Sequence, residues 1–321
     1  MSSRIRIVLV AVGAIVLAAV VTVAVLVLSS GGSGAALKPP TVAPAVQSSF
    51  PGPPAGAFTI AREDDKDVLA LAVLPKASHE VGLQVSDVTQ EGDGARGLRV
   101  SFTVTTGAGT RSAAARACGD GCYGATVPLP SRPLQVQVRV RRPGRTTHWT
   151  VSLPAAWPAK DARAVVARAS RVWRQLHSLR YRERLGSDPT HSVVSDWQIV
   201  APDRLAYQIQ DEGQAVIVGV HRWDRPKGGS WLKTSALRLH QPTPFWVEAT
   251  DAHIAGSGTL RGRPVWRVSF FDPKTPGWFV VAIDRKTYRT LDVRMTAAAH
   301  FMHDSYGSFN TSIKIAPPAT G

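Results

Sequence analysis

The chain has few cysteines, few acidic residues and no motif of a known catalytic site. Its two cysteines among 321 residues exclude a scaffold built from disulfides and a cysteine-rich zinc or iron–sulfur centre. A nucleophile elbow, a metalloprotease helix and a phosphate-binding loop are all missing from the sequence. Gly92–Gly97 match the spacing of a dinucleotide-binding loop, but no helix pattern follows them. We therefore expect a protein that is not an enzyme and needs no cofactor, except for copper in one alternative.

A long uncharged run lies near the N-terminus. Ile7–Leu28 contain 22 residues without a charge, and a helix of that length covers about 33 Å, enough to cross a bilayer. Arg4 and Arg6 precede the run, and the next Lys or Arg is Lys38. The positive-inside bias then makes residues 1–28 a cytoplasmic stub and a transmembrane anchor, with the rest of the chain outside. The sequence predicts a single-pass cell-membrane protein, and a cleaved signal peptide is the alternative.

Positive charge predominates, with 38 Lys and Arg against 23 Asp and Glu and a formal net charge of +15. In a cytosolic protein this surplus would favour nucleic acid as a partner. Outside the membrane, anionic lipid or cell-wall polymer is more available. We therefore expect no nucleic-acid partner, and plain solubility is the alternative explanation of the charge.

A linker and a first folded domain follow the anchor. Residues 29–57 hold six Pro, five Gly, five Ser and six Ala, a composition typical of an extended linker. Residues 58–153 contain short runs in which apolar and polar side chains alternate, separated by turn residues. This pattern predicts an immunoglobulin-like antiparallel β-sandwich.

Cys118 and Cys122 lie four residues apart inside the predicted sandwich, with Gly119 and Gly121 between them. Outside the membrane this spacing favours a small disulfide that clamps a turn. The alternative is half of a soft-metal site, which would need two more ligands.

Residues 159–318 begin with a helix pattern and continue as strand patterns. Asp161 can cap a basic amphipathic helix that is predicted to run to about Leu179. One helix followed by a long antiparallel meander predicts an open half-barrel with the helix against its concave side. The whole protein is thus predicted to be mostly β.

Tryptophans are concentrated in this second domain, where six of the nine lie between Trp197 and Trp278. Buried indoles on a curved sheet imply a wide apolar interior, which is either filled core or a cavity for an apolar ligand. The candidate ligand-binding residues are Trp173, Trp197, Trp223, Trp231, Trp246, Trp266 and Trp278.

The second domain resembles the LolA/LppX-like carriers of lipoproteins and lipids. The resemblance rests on the order of helix and meander, on "WFVVAIDRKTYRTLDVRM" (Trp278–Met295) and on "YGSFNTSIKIAPP" (Tyr306–Pro318). It implies a half-barrel that holds lipid or acyl chains without chemistry. The N-terminal anchor departs from a freely shuttling carrier, so a tethered version would be a local receiver, sensor or scaffold.

Two further resemblances point to copper. Phe58–Leu153 resemble the YtkA/CopC-like sandwiches of bacterial copper-handling proteins. "AAAHFMHDSYGSFN" (Ala297–Asn310) is similar to the extracytoplasmic tail of CopD-like copper-transport proteins. Thioether and imidazole suit Cu(I), so His300, Met302 and His303 are the candidate metal ligands. On a strand, His300 and Met302 share one face and His303 faces away, and the alternative is interior packing.

The leading hypothesis is a membrane-anchored, extracytoplasmic, non-catalytic protein that binds a lipid or another apolar ligand in its half-barrel. A copper-handling accessory protein is one alternative. A structural interaction module for a polytopic membrane partner is the other.

Overall fold

The computed structural model describes residues 50–76 and 79–319. The predicted anchor Ile7–Leu28 and most of the predicted linker lie outside these ranges, so both stay predictions. Within the described ranges, no helix is long and apolar enough to cross a membrane.

The first folded unit is a β-sandwich. In the described part of the chain it has two antiparallel sheets, of strand order β1-β2-β3-β7-β6 and β5-β4-β8-β9. The strands are β1 Phe58–Asp64, β2 Asp67–Lys76, β3 Glu80–Val88, β4 Arg99–Thr106, β5 Gly109–Ala114, β6 Arg116–Gly119, β7 Cys122–Pro128, β8 Pro133–Arg142 and β9 Arg145–Ser152. Alternating residues such as Leu71 of β2 and Val138 of β8 enter one shared core, as a two-residue period requires.

A buried ion network joins the two sheets of the sandwich at one end. Arg142 is the last residue of β8. Its Nη1 lies 2.8 Å from Asp64 Oδ2 of β1, and its Nη2 forms an ion pair with Asp87 Oδ2 of β3. Thr147 of β9 donates its hydroxyl to Asp64 Oδ2 at 3.0 Å. Arg145 Nη2 lies 3.1 Å from the same oxygen. One guanidinium therefore bridges two buried carboxylates that belong to different strands of the first sheet.

The second folded unit is a single curved antiparallel sheet. Among the described residues its order is β15-β14-β13-β12-β11-β10-β20-β19-β18-β17-β16. Its strands are β10 Ser178–Gly186, β11 Ser192–Val200, β12 Arg204–Ile209, β13 Gly213–Val218, β14 His221–Pro226, β15 Leu232–Ser235, β16 Thr250–Leu260, β17 Arg263–Asp272, β18 Gly277–Asp284, β19 Thr290–Ala297 and β20 His300–Gly307. The prediction of a mostly β protein is confirmed.

The helix before this sheet is shorter than predicted. Helix α1 spans Arg163–Arg174, and Ala162 is its N-cap residue. Asp161 does contribute, because its Oδ1 accepts the Arg163 backbone N–H at 2.7 Å. Leu179 belongs to β10 instead of the helix, because strand pairing begins at Ser178. The buried residues of α1 pack into one cluster with one face of the sheet, which we call the inner face.

The inner face is crossed by a segment without helix or strand. Strands β15 and β16 form opposite edges of the sheet, and residues 236–249 connect them. We call these residues the cover segment. Fully extended, 14 residues reach about 48 Å, which is close to the width of a flat sheet with ten strand spacings of about 4.8 Å. The cover segment is not straight, since Gln241 donates its N–H to the Pro202 carbonyl at 2.7 Å. The sheet must therefore curl to bring its edges together.

The opposite, outer face of this sheet packs on the sandwich. Phe271, Trp278 and Phe301 of the outer face form a buried cluster with Val68 and Ala70 of β2. Ser269 donates its hydroxyl to the Thr59 carbonyl of β1 across the same contact. The sandwich thus covers part of the outer face and leaves the inner face to α1 and the cover segment.

Trp278→Ala is expected to destabilise the protein by about 3–5 kcal/mol, because it leaves a cavity at the contact between the domains. Trp278 is 3% exposed and lies against the rings of Phe50 and Phe271, with centroids 5.6 and 5.0 Å away. Thermal unfolding checks the prediction. Trp231→Ala is the control, since Trp231 is half-buried and its ring contact is the Arg225 guanidinium at 4.9 Å. An equal effect of both changes would contradict the packing role of Trp278.

Candidate functional site

A ladder of aromatic rings crosses the inner face. Tyr207, Trp197, Tyr181 and Tyr306 occupy directly paired positions on β12, β11, β10 and β20. Their successive ring centroids lie 4.5, 5.4 and 5.1 Å apart. None of the four side chains is more than 6% exposed. We call this set the aromatic ladder, and cross-strand ring pairs of this kind make a rigid apolar wall.

A polar row lies beside the aromatic ladder, two residues further along the same strands. Ser195, Glu183 and Asp304 are directly paired on β11, β10 and β20. Trp197 donates its indole N–H to Ser195 Oγ at 2.7 Å, and Tyr306 donates its hydroxyl to Asp304 Oδ2 at 2.5 Å. The polar atoms of Trp197 and Tyr306 thus point toward the polar row.

The two carboxyl groups of the polar row keep protons at unusually high pH. Burial raises the pKa of Glu183 to about 7, and the neighbouring Trp197 indole N–H acts in the other direction. Burial raises the pKa of Asp304 to about 8, the charge of Glu183 adds to the rise, and the Tyr306 hydroxyl opposes it. Directly paired Cβ atoms lie about 5 Å apart, so two ionised carboxylates would repel each other here. Near pH 7 the pair therefore holds at least one proton.

Two buried polar atoms of this interior have no hydrogen-bond partner within the part of the chain that the structure describes. They are Asp304 Oδ1 and the Trp173 Nε1 donor. Asp304 is 0% exposed and Trp173 is 3% exposed. Trp173 projects from α1 and meets Tyr306 edge-on, with ring centroids 4.7 Å apart. Because a lone buried donor or acceptor costs about 1–3 kcal/mol, a ligand that satisfies both atoms would gain affinity.

The cover segment closes the interior through aromatic side chains. Phe245 lies over the ladder, with its centroid 6.1 Å from that of Tyr181 and 6.2 Å from that of Tyr306. Trp246 lies edge-on to Phe270 of β17 at 5.5 Å and donates its indole N–H to Ser170 Oγ of α1 at 3.3 Å. Buried side chains of the sheet, α1 and the cover segment form one contiguous cluster. In this structure the protein's own side chains occupy the space above the ladder.

The structure brings four of the seven predicted ligand-binding tryptophans to the inner face. These are Trp173, Trp197, Trp246 and Trp266. The other three do not share this interior. Trp278 packs against the sandwich, and Trp223 pairs with Val216 on the outer face. Trp231 lies outside the inner cluster. Side-chain alternation along each strand decides these positions, and the sequence analysis did not apply it to the tryptophans.

The predicted metal ligands do not converge on one point. His300 and Met302 share the inner face, whereas His303 lies on the outer face with Nε2 2.8 Å from Asp292 Oδ2. Residues 50–76 and 79–319 hold no group of three or more His, Cys, Asp or Glu side chains placed to bind a metal ion. Copper binding by His300 and Met302 stays a prediction.

A disulfide joins Cys118 and Cys122, with Cα atoms 5.0 Å apart. It closes the turn between β6 and β7, where Gly119 and Gly121 have positive φ angles of 146° and 65°. A side chain at Gly121 would also collide with the Asp87 carbonyl, which lies 2.5 Å from its ideal Cβ position. The turn therefore needs glycine there for both conformation and space.

A cavity of about 600 Å³ lies on the sandwich, at a place that the sequence analysis did not predict. Glycine and alanine residues of β2, β3 and β7 line it together with Lys76, Arg116 and Cys118. Lys76 donates to Thr126 Oγ1 at 2.9 Å across this surface. The cavity is separate from the aromatic ladder and the polar row.

No family model and no curated protein matches this chain. Among solved structures, the chain is similar to LprF from Mycobacterium bovis, with 11% identity, a TM-score of 0.37, and 49% of this chain and 97% of LprF covered. It is also similar to the lipoprotein LppX from Mycobacterium tuberculosis, with 10% identity, a TM-score of 0.36, and 48% and 97% covered. A LolA superfamily protein from Nitrosomonas europaea has 7% identity, a TM-score of 0.24, and 49% and 96% covered.

The names LppX and LolA are those of the group that the sequence resembles, and each of the three matches covers about half of this chain. Since the identities and TM-scores are low, nothing about a ligand follows from them.

The sequence analysis missed Glu183 and Asp304. In "LRYRERLG" the arginines alternate with Leu179, Tyr181 and Glu183, and that alternation places Glu183 on the buried face. Asp304 alternates in the same way with Met302 and Tyr306. An acidic residue at an apolar position of a strand was the signal that could have found both.

Proposed function

We propose that this chain is an extracytoplasmic binding protein, tethered by Ile7–Leu28, that holds an apolar or lipid ligand against the inner face of its half-barrel. The observation that carries the proposal is an aromatic ladder beneath a cover segment without helix or strand. The LolA/LppX-like resemblance of the sequence implies the same class of ligand. In this proposal the protein binds its ligand without chemistry.

Ligand entry requires the cover segment to move, because the inner face is occupied by the protein's own side chains. The cover segment is suited to such movement. It is not paired as a strand, and it is held by the rings of Phe245 and Trp246 and by backbone N–H groups of Val247 and Glu248 that bond Asp272 Oδ2 at 2.6 and 3.2 Å. Leu237 of the same segment is 85% exposed. Opening therefore breaks these contacts and the Gln241 N–H bond to the Pro202 carbonyl, and it leaves the strand pairing of the sheet intact.

Phe245→Ala is expected to increase ligand loading. The change removes the ring that lies over Tyr181 and Tyr306 and leaves the ladder intact. Native mass spectrometry of the full chain released from detergent, with methyl oleate added, measures the bound fraction. In the wild type the ligand must displace the buried ring, which costs on the order of 1–2 kcal/mol. Without the ring we therefore expect the apparent affinity for methyl oleate to rise about tenfold.

Leu237→Ala is the matched control. Leu237 belongs to the same cover segment, but its exposed side chain does not hold the segment against the inner face. The variant should bind methyl oleate as the wild type does. Wild-type protein extracted from its native membrane should also carry a lipid adduct. If neither the wild type nor Phe245→Ala binds methyl oleate or carries a lipid, the interior is a filled core and the proposed function is wrong.

A further inference from the structure

We infer that the polar row Ser195–Glu183–Asp304 is a subsite for the uncharged, hydroxyl-bearing head of an amphiphilic ligand. The inference rests on the proposed function and names the class of ligand that the half-barrel takes. The acyl chain would lie along the aromatic ladder, and the hydroxyl groups would meet the polar row.

The hydrogen-bonding groups of the interior match a hydroxyl. Trp173 Nε1 needs an acceptor. Asp304 Oδ1 needs an acceptor when the carboxyl is protonated and a donor when it is ionised, and hydroxyl groups serve in either role. A pure hydrocarbon would leave both atoms without a partner, and a simple ester offers acceptors but no donor.

Charged heads fit this place less well. A phosphate or carboxylate would meet two buried carboxyl groups and would lose its hydration without a cation to replace it. The nearby inner-face cation Arg222 is already engaged, with contacts of 2.7 Å to Asp224 Oδ1 and 2.8 Å to the Tyr207 hydroxyl. An ammonium head has three donors and no acceptor, so it would leave the Trp173 N–H unpaired.

Geometry places the subsite alongside the aromatic ladder. Glu183 and Asp304 lie one side-chain row beyond Tyr181 and Tyr306 on the same two strands. Phe245 covers those two tyrosines, so displacing its ring opens the ladder next to the polar row. A ligand with an apolar chain and a neutral polar head therefore has a surface for each of its parts.

The test compares ligands that share one acyl chain. The full chain in detergent is offered equal amounts of 1-monoolein and methyl oleate, and native mass spectrometry gives the ratio of the two adducts. We expect the wild type to prefer 1-monoolein by about tenfold, the value of one satisfied buried pair of polar atoms. Oleoyl lysophosphatidic acid tests a charged head on the same chain and should bind less than 1-monoolein. Free glycerol tests the head alone and should give no adduct.

Variants of the polar row assign the preference to its residues. Glu183→Leu and Asp304→Leu should bring the ratio close to one. Asp304→Asn keeps an acceptor and a donor and should retain a preference for 1-monoolein. Asp196→Asn, on the outer face of β11 and paired with Arg182 at 3.1 Å, should leave the ratio unchanged.

The outcomes separate the two proposals. Equal binding of 1-monoolein and methyl oleate by the wild type would overturn the headgroup subsite and leave the proposed function standing. A preference that survives both leucine variants would overturn the subsite as well. Absence of every adduct, also in Phe245→Ala, would overturn the proposed function and the subsite together.

Discussion

Asp304→Asn raises the melting temperature at pH 8 by about 5–10 °C and leaves it nearly unchanged at pH 4, as we expect from the buried carboxyl pair. Asparagine has the shape of aspartate and keeps a carbonyl oxygen that can accept the Tyr306 hydroxyl bond. It lacks the acidic proton. The difference between the two proteins therefore reports the cost of ionising Asp304 inside the fold.

The direction follows from the two pKa values of Asp304. Burial and the charge of Glu183 raise its folded pKa to about 8 from the ordinary value of 3.8. Between these values the folded protein holds the proton more tightly than the unfolded chain, so the free energy of unfolding falls as pH rises. Below pH 4 both states are protonated and the cost is absent. With allowance for coupling to Glu183, we expect the loss at pH 8 to be on the order of 3 kcal/mol.

Thermal unfolding of the wild type and the variant across pH 4–9 measures this effect. Asp196→Asn is the control, because Asp196 is 65% exposed and its ion pair with Arg182 is on the surface. It should change stability by less than about 0.5 kcal/mol at every pH. Glu183→Gln should also stabilise at pH 8, and the double variant should gain less than the sum, since the charge of Glu183 contributes to the raised pKa of Asp304. Parallel curves for wild type and Asp304→Asn would show that Asp304 titrates as a solvated group.

Alternation along the strands made much of this fold predictable from sequence. The helix-then-meander order predicted one curved sheet with α1 on one face, and the structure has that arrangement. His300 and Met302 share a face while His303 faces away, as strand geometry requires. These features follow from local periodicity, which one sequence is enough to show.

Features that depend on distant parts of the chain were not predictable in the same way. Trp278 is buried by Phe50 and the sandwich, and no local pattern shows that contact. The path of residues 236–249 depends on which strands end up at the sheet edges. The Glu183–Asp304 pair exists because β10 lies beside β20, although the two residues are far apart in sequence. Candidate sites that form across a closing sheet therefore need the structure.

Arg142→Ala is expected to cost about 3–5 kcal/mol of stability, because it leaves two buried carboxylates without their shared cation. Asp64 is 5% exposed and Asp87 is 0% exposed, and both contact the Arg142 guanidinium. Asp87 Oδ1 already has no hydrogen-bond partner within the described ranges. Asp87 therefore depends on Arg142 for compensation of its charge.

The cost should grow with pH. Burial raises the folded pKa of Asp87 to about 6, and the positive charge of Arg142 is the main influence that lowers it. Without Arg142 the folded pKa rises further, so stability continues to fall over a wider pH range above the ordinary value of 3.8. The difference in melting temperature between wild type and Arg142→Ala should thus be larger at pH 8 than at pH 4.

Neighbouring residues supply the controls for this prediction. Arg141 directly precedes Arg142 in β8 and is exposed. Arg141→Ala therefore removes one positive charge, as Arg142→Ala does, with little effect on stability. Arg142→Lys keeps the charge, but a lysine ammonium cannot bridge two carboxylates as a planar guanidinium does, and it should lie between wild type and Arg142→Ala. Equal effects of Arg141→Ala and Arg142→Ala would show that net charge, and not the bridge between β1, β3 and β8, sets the stability of the sandwich.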